Sequence, residues 1–350
     1  MHKDLQKLSV AGLLISLGII YGDIGTSPLY VFKAIVGTQQ ISETLVLGGI
    51  SCIFWTLTLQ TTIKYVVITL QADNKGEGGI FSLFSLVRRK AKWLIVPAVI
   101  GGCALLADGI ITPPITISAA IEGLESQFPH LHTVTIVIII IAALFIIQQF
   151  GTSLVGKAFG PIMFLWFTMM GVLGIVYIAQ MPSIIKALNP YYAIVLLTSS
   201  HYDAFLVLGA VFLCTTGAEA LYSDLGHCGR KNIRISWIYV KSCLVLNYLG
   251  QGVWLLARNG QTLNLNLHNP FYEIMPQKFL IYGIGIATIA AIIASQALIS
   301  GSYTLIAEAV RLNLWPKVKI NYPSEQKGQL YVPSINWLLC AGCIGVVLLF

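Results

Sequence analysis

Long stretches of this 350-residue chain carry no charge, and that constrains the fold more than any motif does. Only 10% of residues are charged, 56% are hydrophobic, and the mean hydropathy is +0.80. A water-soluble globular chain carries about 25% charged residues because its surface must face water. The scarcity excludes an ordinary cytosolic enzyme, a disordered protein and a secreted disulfide scaffold. It leaves a polytopic membrane protein. The net charge of +7 therefore reports orientation in a bilayer before it reports nucleic acid. Seven cysteines make no paired framework, and Cys340 and Cys343 sit inside an apolar run, where they read as buried small residues rather than a redox or metal pair.

A transmembrane helix needs roughly 20 apolar residues to cross about 30 Å of hydrocarbon. Runs of that kind occur near 11–35, 45–70, 94–122, 132–150, 159–180, 203–223, 236–257, 277–308 and 334–350. No domain-sized loop separates them, so 1–350 reads as one membrane domain. The first run contains Asp23 and no small-residue cleavage site, which marks a span rather than a cleavable signal peptide. With the N-terminus in the cytoplasm, fifteen Lys/Arg fall on the inside, among them Lys3, Lys7, Lys75, Arg88, Lys157 and Lys327. Only Lys186, Arg258 and Lys278 fall outside, a strong positive-inside bias. An all-α fold follows, because lipid demands that each segment satisfy its own backbone groups.

Charge inside a span costs at least ~2.5–3.5 kcal/mol, so it marks function. Asp23, Asp108, Glu122, Glu219 and Glu308 fall within or at the ends of spans, and Asp224 just past the sixth. Asp224 and Glu308 read as snorkelling or solvated acids. Asp23 stands in Tyr21-Gly-Asp-Ile-Gly-Thr-Ser-Pro-Leu-Tyr30, where Pro28 removes a helical donor and disfavours helix at Ser27. Carboxylate, hydroxyl and phenol oxygens crowd that interruption, as a cation cage requires; a simple proline kink is the plainer alternative. The sixth run is interrupted in the same way at Cys214-Thr-Thr-Gly-Ala-Glu-Ala-Leu-Tyr222. Interrupted spans in corresponding places of two halves are the best sequence pointer to a transporter's midplane site.

In the third run Asp108, Thr112, Thr116 and Glu122 share an arc of roughly 120°, which Pro113-Pro114 is expected to distort. Asp108 and Glu122 are about 21 Å apart along a helix, so they cannot share one site. Thr112 and Thr116 lie between them, and back-bonding to their own helix is an equally open reading for each. Asp73-Asn-Lys-Gly-Glu-Gly-Gly79 lacks a phosphate-loop ending and reads as a cytoplasmic turn. His130 and His132 read as solvated, and Trp93, Trp237 and Trp337 as interfacial belt residues. No nucleophile–base arrangement occurs.

These residues resemble the KUP/HAK/KT family of potassium-uptake transporters. The shared blocks include Gly22-Asp-Ile-Gly-Thr-Ser-Pro-Leu-Tyr30, Ala72 to Gly79, Ile111-Thr-Pro-Pro-Ile-Thr116, Ala120 to Glu125, Val155-Gly-Lys157 and Leu188-Asn-Pro190. They continue in Thr216-Gly-Ala-Glu-Ala-Leu-Tyr222, Asp224 to His227, Asn247-Tyr-Leu-Gly-Gln-Gly252, Ala294 to Gly301 and Gly328 to Pro333. The resemblance implies a LeuT-like bundle of the amino-acid–polyamine–cation superfamily, with inverted repeats, broken helices one and six, and about nine of twelve helices present. It implies potassium:proton symport with no cofactor beyond the transported ions, in the inner cell membrane, with no nucleic-acid partner and with a homodimer in the full-length protein. Carried over by position, potassium would bind at Asp23, Tyr30, Thr112, Thr116, Thr216 and Glu219, with Asp23 and Thr216 as its principal ligands. Glu219 would carry the proton, with Glu122 and Asp108 as the next candidates; a carboxylate held out of water takes up a proton more readily. Leu105-Leu-Ala-Asp108 stands where many relatives have an aromatic pair before the acid, and Pro113-Pro114 replaces the commoner Pro-Ala. The last run, Ile335 to Phe350, rises only about 24 Å, and the reading is of a C-terminally truncated chain lacking later helices and a cytoplasmic tail. A transporter of a small organic solute such as an amino acid is the alternative on the same fold. A potassium channel would need a filter loop that is absent.

Overall fold

The computed structural model describes residues 8–74, 76–125, 128, 132–150, 153–199, 204–264, 268–322 and 330–349. Lys3, Lys7, Lys75, His130, Lys327 and Gly328 lie outside the described residues. Within them the chain is helical, and its only β pairings are isolated bridges at Gln40–Thr262, Asn74–Glu77 and Asn321–Tyr331.

Six helices among the described residues are long and apolar enough to cross a membrane, or seven if the bent pair Val10–Ile19 and Gly22–Leu29 counts as one span. All seven coincide with expected spans. The expected span at 236–257 lies in the helix Arg230–Leu256, whose 27 residues rise about 40 Å but are less apolar. Its Asn232, Ser236, Asn247 and Gln251 are buried against other helices, so this helix need not be apolar all round. The expected span at 334–350 is the shorter helix Pro333–Leu349, of 17 residues.

The core joins these helices through large side chains. Tyr21 is fully buried, donates to the carbonyl of Ile233 at 2.7 Å and stacks on Trp237 with ring centroids 6.1 Å apart. Trp237 is therefore not the expected belt residue: it is 2% exposed and its indole donates to Thr62. It lies about two turns into the helix Arg230–Leu256, whose first residues Arg230 and Lys231 are exposed, but on the face that packs against Tyr21 and Thr62. Trp93 and Trp337, at 71% and 52% exposed, do stand on the surface.

Two helices depart from what the sequence suggests. The run expected as one α-helix at 45–70 is α over Glu43–Thr56 and π over Leu57–Ile68. Thr62 and Thr69 hydroxyls donate to carbonyls five residues back, at Leu57 and Lys64, and Lys241 of Arg230–Leu256 donates to Thr58 and Thr62. Such side-chain insertions favour the wider turn. The helix Ile95–Glu125, by contrast, runs unbroken through Pro113 and Pro114.

Candidate functional site

The first span bends by 71° between Val10–Ile19 and Gly22–Leu29, just before the Gly-Asp-Ile-Gly motif rather than at Pro28 as the sequence suggests. A five-residue helix, Gly22–Thr26, then passes into a 3-10 turn at Ser27–Leu29 and a new helix at Val31–Val36. Gly22 allows this segment to press on Ala294, since a Cβ there would lie 2.8 Å from the Ala294 Cα. Donors from three separate elements hold its carbonyls. Trp166 donates to Gly25 at 2.9 Å, Gln251 to Pro28 at 3.1 Å and Asn269 to Leu29 at 2.9 Å.

Asp23 is 5% exposed in the middle of this segment, and neither of its carboxylate oxygens has a hydrogen-bond partner. Burying a carboxylate without a partner costs far more than its packing returns, so an arrangement like this is kept only where a cation or a proton compensates it.

The second interruption meets the first. The helix Ala204–Phe212 tightens to 3-10 at Leu213–Thr215, Thr216 turns extended at ψ 132°, and Gly217 adopts φ +82° before Ala220–Ser223. A Cβ at Gly217 would lie 2.6 Å from the Asp23 Cβ and 2.8 Å from its Oδ2. Only glycine combines that left-handed φ with so close an approach. The two breaks that the sequence pairs are thus in contact.

Around Asp23 the expected residues divide. The Tyr30 hydroxyl is 3.4 Å from that of Ser27, and Asp23, Asp108 and Thr216 lie within its electrostatic reach. Asp108 and Glu219 are within reach of Asp23. The Thr216 hydroxyl donates to Leu213 at 3.0 Å, leaving its lone pairs free to accept. Thr112 donates to Asp108 at 2.6 Å, and Thr116 is fully buried with its hydroxyl unpartnered. Neither of these threonines of the helix Ile95–Glu125 shows the back-bonding alternative. Glu122 stands elsewhere: it pairs with Lys33 and accepts from Asn269 at 3.3 Å. No group of three or more His, Cys, Asp or Glu suited to a metal ion occurs among the described residues.

Several neighbours of the site are absent from the set expected on sequence. Tyr248 and Gln251 are each 1% exposed and keep an oxygen unpartnered, at the phenol and at Oε1. They belong to the Asn247–Gly252 block, whose polar residues in an apolar run are the signal. The cytoplasmic turn is also more than a linker. Asp73 accepts from the Gly76 amide, Gly78 packs on the Tyr222 backbone, and Tyr222 donates to Ala72, so this turn seals against the helix that follows the second break. Glu308 and Asp224, expected as snorkelling or solvated acids, are both partly exposed. Glu308 is 3.7 Å from a Cβ placed on Gly79, and Asp224 faces His227 at 3.4 Å.

The sequence as a whole has known counterparts. The family described as "K+ potassium transporter integral membrane domain" matches residues 10–350. The chain belongs to that family. Within it, the chain is similar to the "Probable potassium transport system protein Kup" of Flavobacterium johnsoniae, with 67% identity over 357 residues covering 100% of this chain and 54% of that protein. The protein so named from Cytophaga hutchinsonii is 65% identical, over 99% of this chain and 53% of its own length. That from Enterococcus faecalis is 56% identical, over 100% and 55%. The chain spans about half the length of the curated relatives it matches. The K+ potassium transporter family is one of transporters, not of enzymes.

Proposed function

We propose that this chain carries the cation site of a secondary-active potassium uptake system, working by potassium:proton symport across the cytoplasmic membrane. The bundle is LeuT-like, with the N-terminus in the cytoplasm and inverted repeats that place the two interruptions at the midplane. Asp23 supplies the charge for a dehydrated potassium ion. Tyr30, Thr112, Thr116 and Thr216 supply neutral oxygens, and Glu219 carries the proton, with Asp108 and Glu122 next in order. Alternating access rocks one helix bundle around this fixed site. The complete gene product forms a homodimer.

One observation carries the reading: a buried carboxylate with no partner, pressed against the glycine of the second break. An amino-acid substrate fits less well, because Asp23 would repel a substrate carboxylate and the relatives are named for potassium. Asp23→Asn in the complete gene product, expressed in cells lacking potassium uptake, tests the assignment. Rubidium uptake should fall at least tenfold at unchanged membrane abundance, since an amide offers a dipole where dehydration of a cation needs charge. Uptake like that of the unaltered protein would overturn the site.

A further inference from the structure

Buried side-chain oxygens without a hydrogen-bond partner are few among the described residues. They are both oxygens of Asp23, the hydroxyls of Thr61 and Thr116, the phenol of Tyr248 and Oε1 of Gln251. Asp23 and Thr116 belong to the site above. Tyr248 and Gln251 do not figure in it, yet they stand three apart on the helix Arg230–Leu256 and so share one of its faces.

That face meets the first span just beyond Asp23. The Gln251 amide donates to Pro28 at 3.1 Å and to Asn247 at 2.7 Å, which fixes the side chain and leaves Oε1 unspent. The Tyr248 ring packs on Phe32, with centroids 6.0 Å apart, and its hydroxyl lies within electrostatic reach of Tyr30 and Cys214. Two unspent oxygens thus border the stretch from Pro28 to Phe32, and Tyr30 is at its centre.

We propose that Tyr248 and Gln251, with Tyr30, form a second station for a dehydrated monovalent cation, next to Asp23 on the C-terminal side of the first break. The station holds only neutral oxygens. Oxygens without formal charge offer a weak field, which repays the dehydration of a large cation such as potassium better than that of sodium. It therefore discriminates between ions, while Asp23 supplies affinity. This deepens the potassium reading and rests on it.

An unsatisfied buried hydroxyl is a cost to the folded protein, and removing it with its shape preserved is neutral or stabilising. A merely structural Tyr248 and an ion-binding one therefore respond differently to Tyr248→Phe. The experiment measures thermal stability of the purified protein in potassium, in sodium and in choline, for the unaltered chain, Tyr248→Phe and Asp23→Asn. In choline, Tyr248→Phe should melt at the same temperature or higher. The potassium concentration giving half-maximal stabilisation should rise about tenfold, equivalent to about 1.4 kcal/mol, and the preference over sodium should shrink. Gln251→Met, which keeps the bulk but loses Oε1, should reduce the preference in the same direction although it also lowers the melting temperature. If Tyr248→Phe keeps the full potassium response and preference while Asp23→Asn loses it, the second station is refuted and the first site stands. If the unaltered protein shows no response to potassium, both are refuted.

Discussion

The contact between the two breaks can be tested at a single atom. Gly217→Ala adds one methyl group at φ +82°, a region that costs an L-residue roughly 1–2 kcal/mol. The new Cβ would lie 2.6 Å from the Asp23 Cβ and 2.8 Å from Oδ2, about 1 Å inside an ordinary contact. Asp23 cannot retreat easily, because Trp166, Gln251 and Asn269 hold the segment around it. Overpacking of this kind adds about 1–3 kcal/mol. The expected result is a protein destabilised by about 2–5 kcal/mol, with the carboxylate displaced and rubidium uptake reduced at least tenfold. Gly209→Ala, in the same span, is the control. A Cβ there meets nothing within 4 Å, and replacing a glycine inside a helix gains about 0.5–1 kcal/mol. Thermal melting followed by tryptophan fluorescence gives the stability, and uptake in potassium-starved cells gives the function. A Gly217→Ala protein as stable and active as Gly209→Ala would show that the breaks do not abut as described.

Two further outcomes are expected. Glu219→Gln mimics a permanently protonated acid, so rubidium binding should survive while uptake loses its accompanying proton flux; full acidification alongside uptake would remove Glu219 from the coupling role. Lys33 and Glu122 form a pair with side chains 29% and 17% exposed, between the surface and buried cases, so a Lys33→Met/Glu122→Gln double-mutant cycle should give a coupling of about 1–2 kcal/mol, and a value below about 0.3 kcal/mol would show the pair to be incidental.

The positions of the spans are legible in the sequence because lipid imposes length and apolarity on every crossing segment. Both interruptions are legible too, since glycine, proline and an acid seldom gather inside an apolar run unless the helix breaks there. The 71° bend is not, because it precedes Gly22 and depends on how Tyr21 docks on Ile233 and Trp237. Nor is the π geometry of Leu57–Ile68, because α and π turns have the same hydropathy and differ only in where the threonine hydroxyls and Lys241 bond. Trp237 departs from its expected place for a related reason: nearness to a span end says nothing about which face of the helix meets protein. Around the site, Asp23, Tyr30, Thr216, Glu219 and Asp108 come together, whereas Glu122 pairs with Lys33 instead. Tyr248 and Gln251 escape notice because nothing in a sequence tells a satisfied buried oxygen from an unsatisfied one.

The tethers on the first break also limit how such a site can move. The carbonyls of Gly25, Pro28 and Leu29 each accept a side-chain donor, from Trp166, Gln251 and Asn269 respectively. If this segment shifted alone, all three bonds would break, at a net cost of about 2–4 kcal/mol before any repacking. If it shifted together with Ser153–Gln180 and Arg230–Leu256, which carry Trp166 and Gln251, two of the three would persist. The remaining donor, Asn269, bridges Leu29 to Glu122 and through it to Lys33. By these bonds alone, a shift that carries those two helices along and opens the contact at Asn269 and the Gly217–Asp23 seam would cost less than a shift of the segment by itself, although Gly22 against Ala294 ties the segment to Gln277–Arg311 as well. An ion held at that seam by side-chain oxygens from both sides would feel its ligands separate as the seam opens, which is what release from a coordinated site requires.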